Sequence, residues 1–153
     1  MKRLSIALLV YFFCLCACTK QVQVIEVQPG NCHKYTELNY LNYDSLKTDA
    51  INLLDVKMED NCLQLTLQYD GGCKDHKVDL ALILPEKVTL PLLSPTFEIR
   101  HNSNNDVCKA LITNNYSFDI SGIKEAGKHS TNFILAYKKT SGTIISSSYT
   151  YKY

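Results

Sequence analysis

The stretch Gly71-Gly72-Cys73-Lys74-Asp75-His76 sets a thiol and an imidazole three residues apart, directly after a glycine turn. His101 and Cys108 form a second pair, with Asp106 between them. Residues of these types support three kinds of chemistry. Cys73 and Cys108 can form a disulfide, which in an oxidising compartment is the first expectation. Closing a loop of roughly 35 residues contributes on the order of 4 kcal/mol in the chain-entropy model. Alternatively, Cys73, His76, His101 and Cys108 make a tetrahedral donor set for zinc or copper. Cys-x2-His is good ligand spacing; His101-x6-Cys108 is longer than the usual second pair, and both thiols must escape oxidation. In the third reading, Cys73 or Cys108 is a nucleophile with a histidine base. No nucleophile motif surrounds either cysteine, and such pairs normally meet through the fold rather than locally.

The elements that must position these residues read as strands. "LQLTLQY" sets Leu63, Leu65, Leu67 and Tyr69 on one face, with Gln64, Thr66 and Gln68 on the other. "INLLDVKM" before it aligns Leu54, Val56 and Met58, and Glu59-Asp60-Asn61 is the turn between. Period-two alternation of this kind marks strands buried on one side. Residues 76 to 84 align His76, Val78, Leu80, Leu82 and Leu84; "TFEIRH" aligns Phe97, Ile99 and His101; "VCKALI" aligns Cys108, Ala110 and Ile112. The phase puts His76, His101 and Cys108 at strand ends on the core side, so they converge at one rim. "YSFDI" reads as a further short strand, residues 122 to 131 as a loop, and the C-terminal part as a hairpin about Ser141-Gly142. Residues 32 to 48 have no clean period and read as a loop, with a helical turn after Asp44. The pattern predicts a single, all-β, antiparallel β-sandwich, immunoglobulin-like or related, of about eight or nine short strands.

The N-terminus assigns the compartment. Lys2 and Arg3 precede an apolar run from Leu4 to Leu15 that is too short for a membrane span and reads as a secretory signal. Leu15-Cys16-Ala17-Cys18 resembles the lipobox of bacterial lipoproteins. The resemblance implies cleavage before Cys18 and acylation of that cysteine, with several chains anchoring more firmly than one. An ordinary secretory signal is the plainer alternative. The resemblance also implies the outer membrane, since no aspartate follows Cys18. The first acidic residue after it is Glu26, which favours a periplasm-facing anchor over surface export. The expected organisation is a signal peptide at 1–17, a lipidated N-terminus and tether at 18–30, and the sandwich at 31–153.

Removing residues 1–17 takes away two of the 16 basic residues and none of the 15 acidic ones, leaving a net charge of −1. Without a Lys/Arg cluster, nucleic acid is not an expected partner. Of the seven cysteines, Cys32, Cys62, Cys73 and Cys108 remain after the signal and the lipid site are set aside. Cys32–Cys62 is the second pairing that this number allows.

"GGCKDHKVDL", "RHNSNNDVCKAL" and "YSFDIS" together resemble a set of uncharacterised lipoproteins of Gram-negative bacteria. Those share a Gly-Gly-Cys-x2-His block, a His-x4-Asp-x-Cys block and a following Phe-Asp strand. The matching positions here are Gly71, Gly72, Cys73, His76, His101, Asp106, Cys108, Phe118 and Asp119. The resemblance implies no known activity. Asp106 reads as a turn aspartate capping backbone N–H groups; the alternative is an oxygen ligand or an orienter of His101.

Tyrosines gather at Tyr35, Tyr40 and Tyr43 and again at Tyr149, Tyr151 and Tyr153. They suit glycan or protein contacts, or simply strand-face packing. His33 and His129 stand alone among polar neighbours, and Glu59 and Asp60 read as solvated turn residues. No Ser-His-Asp signature, phosphate loop or dinucleotide fingerprint is present. The expected function is therefore that of a lipid-anchored envelope protein: a non-catalytic binding or assembly module without cofactor, whose partner is an envelope protein or glycan. A metal-binding lipoprotein is the second reading and a thiol-dependent envelope enzyme the third.

Overall fold

The computed structural model describes residues 32–87 and 93–153. The signal peptide, Cys18 and the tether lie outside the described residues. Among the described residues there are nine strands: β1 (His33–Lys34), β2 (Thr36–Leu38), β3 (Asn52–Glu59), β4 (Cys62–Gly71), β5 (Lys77–Ile83), β6 (Thr96–Asn102), β7 (Ala110–Asp119), β8 (Ser130–Lys138) and β9 (Ile144–Lys152). They form two sheets, in the orders β1-β7-β4-β3 and β2-β5-β6-β8-β9. This is the expected β-sandwich.

Alternation explains the packing. Leu63, Leu65, Leu67 and Tyr69 of β4 turn inward and meet Leu80, Phe97, Ile99, Phe133, Leu135 and Tyr151 of the facing sheet. Each such side chain taken from water contributes about 1.5–3 kcal/mol. The hairpins β3–β4, β5–β6 and β8–β9 are antiparallel, as is the β4–β7 pair. Three pairings are parallel: β1 with β7, β2 with β5, and β6 with β8. The chain crosses between sheets after β1, β2, β4, β6 and β7, which allows strands distant in sequence to lie side by side in parallel.

Four sequence readings are corrected. Leu54 does not share a face with Val56 and Met58. The β3–β4 register shifts between Leu53 and Asp55, so Leu53 packs on the core while Leu54 is 53% exposed. A bulge inverts the phase of everything before it. "VCKALI" and "YSFDI" are not two strands. Both run into β7, which begins at Ala110 and leaves Cys108 in the preceding loop with Ala110 exposed. The 32–48 segment holds two short strands, each pairing a different sheet, and a 3-10 turn at Tyr43–Ser45. In the 122–131 loop, a 3-10 turn at Ser121–Ile123 buries Ile123.

The C-terminal tyrosines are packing residues. Tyr151 is fully buried, and Tyr149 and Tyr153 lie against the core.

Candidate functional site

β4 passes to β5, and β6 passes to β7, at the same end of the sandwich. The first crossing runs through Gly71–His76 and the second through Ser103–Lys109. Gly72, at φ 108°, makes the first turn, a conformation that costs glycine little. Asn104 and Asn105, at φ 53° and 51°, make the second; asparagine tolerates the left-handed region better than most residues. A disulfide joins Cys73 to Cys108 and ties the two crossings together, with Cα atoms 5.9 Å apart. A second, Cys32–Cys62, lies at the opposite end of β4 and pins the β1 segment over that strand. Cys62 starts its strand on the outer face, as its phase suggested, but is buried beneath that bridge.

Asp106 organises the rim. One carboxylate oxygen accepts from the N–H groups of Cys73 and Lys74, both at 2.9 Å, and the other from the N–H of Cys108 at 2.9 Å. This is the capping role expected of a turn aspartate, extended across two loops. The Cys108 N–H, joined by those of Cys73 and Lys74 and by His76, holds the carboxyl well below the usual range, against the opposing cost of desolvation. Asp106 therefore stays ionised. Its imidazole neighbour is His76, with Nε2 at 3.3 Å, and not His101 as the orienting alternative had it. Lys74 folds back over the second loop, donating to the carbonyls of Asn104 and Asn105 at 3.0 and 3.1 Å.

His76 and His101 meet below the carboxylate. His76 Nδ1 lies 2.9 Å from His101 Nε2, and His101 Nδ1 lies 3.3 Å from the Ala50 carbonyl oxygen. The His76 side chain is only 4% exposed and that of Asp106 is fully buried. The Tyr69 ring stacks on His76 at 4.8 Å and tilts against His101 at 4.7 Å. Burial, then the adjacent His76, lowers the His101 pKa; its contact with Ala50 acts in the opposite sense. Gly71 leaves the space that His76 fills: a Cβ there would stand 2.6 Å from His76 Nε2.

Opening from this cluster, a groove of about 930 Å³ runs along β7, with Tyr69, His76, Ile112, Asn114 and Tyr116 among its lining residues. The Tyr69 and Tyr116 hydroxyls are 2.8 Å apart, and Asn114 Nδ2 donates to Tyr69 at 2.9 Å. Desolvation, then the hydrogen bond with Tyr69, pushes the Tyr116 pKa upward, so its hydroxyl remains neutral. Among the described residues, β1 pairs with β7 only at Phe118 and Asp119.

The structure thus brings Cys73, His76, His101, Asp106 and Cys108 together, His101 at the end of a strand and Cys73, His76, Asp106 and Cys108 in the connections between strands. His33 and His129 are exposed and stand apart. The metal and nucleophile readings both need free thiols, and here the two sulfurs are bonded to each other. Three contributors were missed: the Ala50 carbonyl, the Tyr69–Tyr116 hydroxyl pair, and the steric role of Gly71. The register pairs Tyr69 with Ile112 and Tyr116 with Leu65, so only the reach of the two side chains brings their hydroxyls together. Also missed was Arg100, 2% exposed on the outer face of β6, paired with Glu98 at 2.6 Å and lying 4.2 Å beneath the Tyr43 ring.

A family model described as "NigD-like C-terminal beta sandwich domain" matches residues 33–153. No curated protein matches the chain. Solved structures share its fold, among them three from Bacteroides and Parabacteroides. A protein described as toxin-related from Parabacteroides distasonis is 20% identical, with a TM-score of 0.62 over 79% of this chain and 61% of its own. A NigD-like immunity protein from Bacteroides caccae is 15% identical, with a TM-score of 0.57 over 80% of this chain and 65% of its own. A protein of unknown function from Bacteroides vulgatus is 17% identical, with a TM-score of 0.59 over 80% of this chain and 56% of its own. The chain therefore spans less than two thirds of the length of these structures.

Proposed function

This chain belongs to the NigD-like C-terminal beta sandwich family, and on that premise we propose that it is a non-catalytic binding module of the immunity type. We place it at the periplasmic side of the bacterial outer membrane, anchored through lipid on Cys18. The observation that carries the binding role is the groove along β7. Aromatic and amide side chains line it, with Lys74, Asp75 and His76 at its rim end, and two disulfides hold the sandwich that carries it. Amphipathic tyrosine surfaces of this kind suit protein contacts. The Bacteroides caccae neighbour carries the description of an immunity protein, and immunity by binding needs no turnover. The lipid anchor rests on the signal sequence and on Leu15-Cys16-Ala17-Cys18. Thr19 and the late first acidic residue, Glu26, support the outer membrane and its inner face.

The test is site-specific photo-cross-linking in the native envelope. A photoreactive residue at Thr113 or Asn115, on β7, should capture one envelope protein reproducibly. The same residue at Ser148, on β9, should not. Equal capture at both positions, or none at β7, would refute the groove as the binding surface. Radiolabelled palmitate should enter the wild-type chain and not Cys18→Ala; no incorporation into the wild type would remove the anchor.

A further inference from the structure

The rim holds more metal-ligating atoms than a disulfide uses. The Cys73 and Cys108 sulfurs and an Asp106 carboxylate oxygen lie within 4.8 Å of one another. His76 Nε2 is 3.3 Å from Asp106 Oδ2, and both side chains are buried.

The tautomers sharpen this picture. A carbonyl oxygen only accepts, so His101 donates from Nδ1 to Ala50 and leaves Nε2 bare. His76 then donates from Nδ1 to His101, which leaves His76 Nε2 bare and aimed at an ionised carboxylate. Two acceptors face each other across 3.3 Å, a junction completed only by a positive charge: a proton or a metal ion. A histidine whose far nitrogen is fixed by a hydrogen bond is the usual arrangement behind a metal ligand. The spacing between His76 Nε2 and Asp106 Oδ2 fits as well. With zinc–nitrogen and zinc–oxygen bonds of about 2.0–2.2 Å, two neighbouring corners of a tetrahedron lie roughly 3.3–3.5 Å apart.

The cysteines do not depend on their S–S bond for proximity. Asp106 accepts from the backbone N–H of both, so the loops that carry them stay clasped when the bond opens. Cys73 is exposed and accessible to a reductant.

We propose that reduction of Cys73–Cys108 by a dithiol converts the rim into a site for one soft divalent cation of the zinc type. Cys73, Cys108 and Asp106 are its ligands, His76 closes in from beside Asp106 as the fourth, and His101 acts as the positioning residue behind His76. The dithiol gives two electrons and two protons to the S–S bond and becomes a disulfide itself. The cation then displaces the two thiol protons to solvent and binds both thiolates. This site differs from the four-residue set read from sequence, with Asp106 in place of His101, and it shares Cys73 and His76 with the lining of the groove.

The test uses the full chain, reduced with dithiothreitol, exchanged anaerobically into reductant-free buffer and titrated with cobalt(II) chloride. One equivalent should bind with a thiolate-to-cobalt charge-transfer band and the ligand-field bands of a tetrahedral ion, and zinc should displace it. The oxidised protein should show no such band. Cys32→Ala/Cys62→Ala should keep the band, and Cys73→Ser should abolish the two-thiolate spectrum. His101→Gln should keep the thiolate intensity but weaken affinity by about 10–100-fold, as loss of an outer-shell partner does. A reduced wild type that unfolds, a spectrum that survives Cys73→Ser, or affinity indifferent to His76→Gln would each overturn the proposal. If Cys32→Ala/Cys62→Ala does not fold, the wild type against Cys73→Ser/Cys108→Ser decides the outcome.

Discussion

His76 Nδ1 and His101 Nε2 lie 2.9 Å apart, inside a chain that ends in an acceptor on both sides: the Ala50 carbonyl and the Asp106 carboxylate. Three contacts join the four groups, and two neutral imidazoles carry only two ring protons. The contact left without a ring proton, between His76 Nε2 and the carboxylate, is the one that a further cation completes.

The lowered His101 pKa gives a pH dependence with a defined sign. Below its ordinary value of 6.5, the unfolded chain binds a proton at His101 that the folded chain resists. Stability is therefore full above about pH 6.5 and declines as pH falls toward the depressed folded value. Urea unfolding at pH 7.5 and 5.5 should show the lower midpoint at 5.5. His101→Gln should flatten that slope; an unchanged slope would discount the residue.

Gly71→Ala should dislodge His76, because the new Cβ would stand 2.6 Å from its Nε2 and 3.2 Å from Asp106 Oδ2. Overpacking of this kind costs about 1–3 kcal/mol. The expected signature is a lower unfolding midpoint together with a changed His76 imidazole resonance. A resonance that stays in place would mean the rim relaxes elsewhere.

Replacing Cys73 and Cys108 together by alanine removes a link between residues 35 apart, worth about 4 kcal/mol in the chain-entropy model. Thermal unfolding should drop accordingly while the circular dichroism of the sandwich is kept. Alkylation of Cys73 in the native, unreduced protein would contradict the bond itself.

Arg100→Ala should destabilise by about 3–5 kcal/mol, the cost of breaking a buried ion pair and leaving one partner uncompensated. Arg100 also donates to Thr48 Oγ1 at 3.0 Å, and Tyr43 donates to Glu98. The loop between β2 and β3 should therefore become protease-sensitive in the same variant. Protease resistance equal to the wild type would show that the loop is held by other contacts.

Residue types alone determined much of this protein. Strict alternation in residues 63–69 and 97–101 assigns inward faces because side-chain direction in a strand repeats every two residues. That local rule carried His76 and His101 to the core side of the sandwich, and the even cysteine count suggested the two bridges found. The rest depended on pairing between distant strands. A bulge opposite Thr66 gave the core position to Leu53 in place of Leu54, and nothing in "INLL" marks it. Asp106 reads as a turn cap for its own loop, yet it also clasps a loop more than 30 residues earlier. Arg100 alternates as a solvent-facing residue should, and is buried because the loop before β3 folds over it. Periodicity reports which way a side chain points from its own strand; what covers that face is decided only when the crossings bring remote segments together.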